Sequence, residues 1–110
     1  MDLDIDVVEK QDKTIVKLSG EIDVYTAPEL KDILLPLVEK ENNNIEVCFS
    51  DVEYMDSTGL GIFINALKSS KTYNSRMELV NLTDRVLRLF TITGLDEIID
   101  INPEIRGVKD

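Results

Sequence analysis

Apolar and polar residues alternate along this chain with two periods, first near two and then near 3.6, and the switches between them mark out its elements. Leu3, Ile5 and Val7 interleave with Asp2, Asp4 and Asp6, and the run from Thr14 to Leu18 repeats the alternation. A period of two predicts strands with one wet face. The polar segment from Glu9 to Lys13 makes these two strands an antiparallel pair. The period then lengthens. Leu30, Ile33, Leu34, Leu37 and Val38 recur on one helical face, behind Thr26 as N-cap, Glu29 as its capping-box partner and Pro28 in the first turn. Pro36 is expected to kink or end this helix, and Asn42-Asn43-Asn44 forms the next loop.

Ile45 to Phe49 is nearly continuously apolar and predicts a buried strand. A helix follows from Ser57 to Ser70, with Leu60, Phe63, Ile64 and Leu67 facing the core and Thr58, Gly61, Ile62 and Asn65 facing outward. Met77 to Val80 is a short strand. Thr83 or Asp84 caps a helix carrying Val86, Leu87, Leu89 and Phe90, and Gly94 closes it. Leu95 to Ile101 fits a strand or a last short helix equally well. The order is β-β-α-β-α-β-α-β, with no repeat, low-complexity tract or linker, so residues 1–110 read as one α/β domain. Strand-helix-strand alternation with crossovers of one hand predicts a mixed sheet of four to five strands, antiparallel at its first edge, with the helices mainly on one face.

Composition narrows the function. The chain has no histidine, which removes histidine acid/base catalysis, Ser-His-Asp and Cys-His nucleophile pairs and the commonest zinc ligand. Its one cysteine, Cys48, lies in an apolar strand and reads as a buried, inert thiol. A net charge of −10 disfavours nucleic acid and anionic membrane surfaces as partners; it suits a basic protein partner, and serves solubility equally. No leader-like segment or run of about 20 apolar residues is present, and a cytoplasmic location is expected.

The segment Met55-Asp56-Ser57-Thr58-Gly59-Leu60-Gly61 carries the most chemistry. It sets a hydroxyl where a helix begins, and there unpaired N–H groups and a partial positive charge favour an added anion. A phosphate on Ser57 brings about −1.5 to −2 charges, so it should alter the surface without unfolding the domain. Gly61 costs a helix about 1 kcal/mol relative to alanine, which suits a surface kept bare for an approaching active site. Ile62, taken as exposed, suits a protein-binding patch. The plainer alternative is that Ser57 is only an N-cap and the glycines only ease packing. Gly59-Leu60-Gly61 lacks the third glycine and the lysine of a nucleotide-binding loop, and no base accompanies the serine. Gly20-Glu21-Ile22-Asp23-Val24-Tyr25 forms a second acidic strand-to-helix segment, with two carboxylates that make a weak metal or acid/base signal.

Gly20-Glu21-Ile22-Asp23 and Tyr54-Met55-Asp56-Ser57-Thr58-Gly59-Leu60-Gly61, each before a helix, resemble the two signatures of STAS domains. Arg88-Leu89-Phe90-Thr91-Ile92-Thr93-Gly94-Leu95 resembles the family's third landmark. The likeness runs the length of the chain and is nearest to the stand-alone bacterial anti-anti-sigma factors of the general-stress (sigma-B) pathway. It implies a non-enzymatic anti-sigma factor antagonist that needs no cofactor or metal. In such proteins the unphosphorylated form binds an anti-sigma factor, itself a GHKL-type serine kinase, and so frees the sigma factor. Phosphorylation by that kinase, here at Ser57 with Thr58 as a minor site, ends the complex, and a PP2C-like phosphatase restores it. The resemblance places Asp23 and Asp56 at the kinase-facing surface, and together with the outward face read from helical spacing the expected contact takes in Ser57, Thr58, Gly59, Gly61 and Ile62. Another STAS-type regulatory scaffold and a nucleotide-binding protein using the acids around Asp23 and Asp56 are the alternatives.

Overall fold

A computed structural model describes residues 2–102; Met1 and residues 103–110, the ends of the expected domain, lie outside it. The elements are β1 (Leu3–Glu9), β2 (Thr14–Ile22), α1 (Ala27–Val38), β3 (Asn44–Met55), α2 (Ser57–Thr72), β4 (Arg76–Val80), α3 (Asp84–Thr93), a 3-10 turn (Leu95–Glu97) and β5 (Asp100–Asn102). They form a single α/β domain whose five strands lie in the order β1-β2-β3-β4-β5. β1 and β2 are antiparallel, and every later pair is parallel. Because each parallel strand is added on the same side of the last, crossovers of one hand bring all three helices to one face. The ambiguous stretch after Gly94 resolves into both alternatives, a turn of 3-10 helix and then a three-residue edge strand.

The core lies between that sheet face and the helices. Val16, Leu18, Ile45, Val47, Phe49, Met77 and Leu79 project into it from alternate strand positions, against Leu30, Leu34 and Val38 of α1 and Val86 and Phe90 of α3. At its centre Phe49, Phe63 and Phe90, one each from β3, α2 and α3, pack in tilted and edge-to-face pairs with centroids 5.3 and 6.4 Å apart. Each pair adds about 0.5–1.5 kcal/mol beyond area burial. Among the described residues no helix covers the opposite sheet face, and two expectations change there. β3 is not buried on both sides: Glu46 and Cys48 are half-buried between buried neighbours. The Cys48 thiol therefore stands on the open face, 3.4 Å from Ser50 Oγ and 3.5 Å from the Asn81 side-chain amide. On the core side, Val7 lies opposite Val16 at the edge strand but is exposed, because the helices do not reach that far.

Local signals account for most helix ends. Thr83 Oγ1 accepts the Val86 N–H of α3 at 3.3 Å, and Gly94 closes that helix with φ 78°. Pro36 does not end α1, which runs on to Val38. α2 departs most from its predicted face: Ile62 and Ala66 are buried along with Leu60 and Phe63, while Ile64 and Leu67 are only partly covered. α2 is the middle helix, packed on the sheet and flanked by α1, so it buries two sides. A periodicity argument allows for one.

Candidate functional site

β2 and β3 run parallel with Ile22 opposite Met55, so the two strand-to-helix junctions end at the same level, side by side. The Asp56 N–H donates to the Ile22 carbonyl at 3.3 Å and ties them together. Each junction turns on an aspartate. In the first, Asp23 Oδ1 accepts the Tyr25 N–H at 2.9 Å and the Thr26 N–H at 3.1 Å. Thr26 Oγ1 accepts the Asp23 N–H at 3.0 Å and donates to the Glu21 carbonyl at 2.9 Å. The expected capping box is thus absent: Thr26 sits in helical backbone geometry, makes no side-chain cap bond and knits the turn instead. Asp23 is only 8% exposed, which corrects its expected place among surface acids. Its carboxylate satisfies buried backbone N–H groups that would otherwise be costly.

In the second junction Asp56 is the N-cap of α2, in extended geometry, with Oδ1 accepting the Thr58 N–H at 2.9 Å. Ser57 is therefore the first helical residue and not the cap, and the plainer reading of its hydroxyl is set aside. Both Ser57 and Thr58 are exposed. No side-chain hydrogen bond engages the Ser57 hydroxyl among the described residues.

The two nearby glycines differ. A Cβ on Gly59 would stand 2.6 Å from Met55 Cγ and 2.8 Å from Ile22 Cγ2, so Gly59 lets α2 begin against the ends of β2 and β3. A Cβ on Gly61 would meet nothing within 4 Å. Gly61 lies on a shallow groove between α1 and α2, with Thr58, Asn65, Val24, Pro28 and Lys31 along it. Ile62 forms part of the same groove but is 6% exposed and belongs to the core cluster. Its expected outward orientation is overturned, because α1 covers that side of α2. Gly20, in β2, has φ 121°, and a side chain there would collide with the Asp2 carbonyl oxygen.

Around Ser57 the structure gathers residues to which sequence reasoning gave no role. Tyr25 is 82% exposed, Ile92 73% and Val24 59%, and Tyr54 is partly exposed as well. Tyr54, Ile92, Arg85, Arg88 and Leu89 share a concavity with Ser57. Tyr25 and Val24 share the next one with Asp56, Tyr54 and Arg85. Ile92 had left a trace in the sequence, since it falls off the Val86–Phe90 face of α3. The carboxylates do not converge: among the described residues no group of three or more metal-ligating side chains is present. Among those residues, too, no helix is long and apolar enough to cross a membrane.

The arrangement is that of an α/β binding module that displays a hydroxyl at a helix start, ringed by exposed apolar side chains. The chain belongs to the STAS domain family, whose model matches residues 4–107. It is 44% identical over 107 residues to the anti-sigma-B factor antagonist of Bacillus subtilis, covering 97% of each chain. It is 39% identical over 102 residues to the anti-sigma-B factor antagonist of Staphylococcus aureus, covering 93% of this chain and 94% of that one. A crystal structure from Thermotoga maritima, described as a candidate anti-sigma factor antagonist, superposes with a TM-score of 0.83 at 29% identity, over 92% of this chain and 87% of the other.

Proposed function

We propose that this chain is an anti-sigma factor antagonist: a phosphorylation-switched binding module, acting in the cytoplasm, without catalysis of its own. Unmodified, it binds an anti-sigma factor that is also a serine kinase of the GHKL type, and so releases the sigma factor. The kinase transfers the γ-phosphoryl group of ATP to Ser57 Oγ, with Thr58 as a minor acceptor, and a PP2C-like phosphatase removes it. Two relatives at about 40% identity over nearly their whole length carry the name of this activity. The observation that carries the reading is the exposed Ser57 hydroxyl set among exposed Val24, Tyr25, Tyr54 and Ile92. Solvent-exposed apolar side chains clustered around one polar group are what a protein partner buries. Asp56, Thr58, Gly59 and Gly61 shape the contact around Ser57, while Asp23 and Ile62 act from beneath it by holding the junction and the groove in place.

The switch has a sufficient magnitude. Leaving a charge unpaired in a buried contact costs about 2–5 kcal/mol, and each 1.4 kcal/mol is tenfold in affinity, so a dianion at the centre weakens the complex by roughly 10²- to 10³-fold. The neighbouring Asp56 carboxylate adds repulsion. Incubation with the kinase and ATP is expected to add one phosphate, mapped to Ser57. Ser57→Ala is expected to lose all but the minor labelling that Thr58 accepts and to remain bound, and Ser57→Asp to bind poorly. A phosphate mapped elsewhere, or equal affinities for the two variants, overturns the assignment.

A further inference from the structure

Arg85 and Arg88 stand three residues apart on α3, a spacing that sends both side chains off one side of the helix. Both are exposed, and both line the concavity that contains Ser57. Among the described residues neither guanidinium has an ion pair or a side-chain hydrogen bond, whereas Arg76, the other described arginine, is paired with Asp100 at 3.0 Å. Two unpaired arginines side by side are unexpected in a chain of net charge −10, because acids are plentiful and like charges at this spacing repel. Arg85 also borders the concavity that holds Glu21, Asp23, Glu53 and Asp56, yet none of them lies within ion-pair distance. Asp23 is turned inward onto Tyr25 and Thr26, and Asp56 onto Thr58. The two guanidinium groups are thus left open toward the serine.

We propose that Arg85 and Arg88 form a latent clamp for the phosphate on Ser57, closing on it when the serine is modified. The planar guanidinium fork matches phosphate oxygens two at a time, and a phosphate offers three. The inference rests on Ser57 being the phosphorylated residue and deepens that reading. Modification then acts twice on the partner-facing surface: it adds negative charge, and it withdraws two cations that the unmodified protein presents.

The test uses full-length protein with phosphoserine installed at position 57 during translation, and follows the phosphate's second ionisation by phosphorus NMR. Six charged neighbours act on it: Arg85 and Arg88 from α3 favour the dianion, while Asp56 and Glu53 from the β3–α2 junction, and Glu21 and Asp23 from the end of β2, oppose it. The titration midpoint is expected to rise by about one pH unit in the R85Q/R88Q double variant, and by part of that in R88Q alone. Lys68→Gln, which removes an exposed cation far along α2, should leave it in place. An unchanged midpoint in the double variant overturns the clamp. So does an equal shift in Lys68→Gln, which would trace the effect to net charge. Since both arginines are exposed, the unmodified variants should melt with the parent. The phosphate is installed without a kinase, so an insensitive midpoint sinks the clamp alone; failure of the kinase to label Ser57 sinks the switch and leaves this measurement readable.

Discussion

The two strand-to-helix junctions start from the same materials and arrive at opposite ends. Each follows a parallel strand, each turns on an aspartate, and each has a hydroxyl residue within three positions of it. In the first, Asp23 and Thr26 spend their polar atoms on one another's backbone and on Glu21, and both are buried. In the second, Asp56 satisfies one N–H, and Ser57 beside it is left exposed with no side-chain bond among the described residues. The first junction is scaffold and the second is display. A closed turn fixes where α1 lies; α1 in turn covers Ile62 and props up the helix that presents the serine.

The contrast can be broken most severely at Ile62, the buried residue that packs α2 against α1. Ile62→Lys is expected to lose more than about 3 kcal/mol in urea unfolding, since truncating a buried aliphatic side chain already costs about 2–5 kcal/mol and lysine adds a charge without a partner. A variant as stable as the parent would mean that α1 does not cover this side of α2. The aspartates come next. Asp23→Ala strands the N–H groups of Tyr25 and Thr26 and should cost about 1–3 kcal/mol. Asp56→Ala removes a half-buried N-cap that holds a single N–H and should cost about 1 kcal/mol. If the two losses come in the reverse order in parallel thermal melts, the division into scaffold and display is wrong.

The glycines give the smallest and finest test. Gly59→Ala must push Met55 and Ile22 aside and should lose about 1–3 kcal/mol through overpacking. Gly61→Ala enters open space, and should gain up to about 1 kcal/mol of helix stability. The same Gly61→Ala protein should bind the kinase more weakly, because its methyl group stands in the groove. A gain in stability with undiminished binding would remove Gly61 from the contact.

Much of this is legible in the sequence. The element order, the antiparallel first pair, the helices on one face, the Thr83 and Gly94 caps and the special position of Ser57 all follow from signals within a few residues of one another. The misreadings share a cause. Cys48 lies in an apolar run, but a strand faces two ways and only one face of this sheet is covered. Ile62 falls outside the predicted stripe of α2, yet that helix has a neighbour on its flank. Thr26 and Glu29 have the spacing of a capping box, but Asp23 competes for the same turn and supplies the buried bonds. Arg85, Arg88 and Ile92 reach the site across the fold from α3, some thirty residues beyond Ser57, and no local motif announces that distance being closed.

By itself, the amino-acid order determined the alternation of strands and helices, the two acidic junctions and the hydroxyl at the start of α2, because capping, turn geometry and periodicity are short-range and written in neighbouring side chains. Only the tertiary structure decided which junction is sealed and which is open, that Ile62 faces α1, and that two arginines without an ion pair among the described residues stand beside the serine. Burial and charge environment are set by what packs alongside, and those neighbours come from parts of the chain that meet only once the sheet has formed.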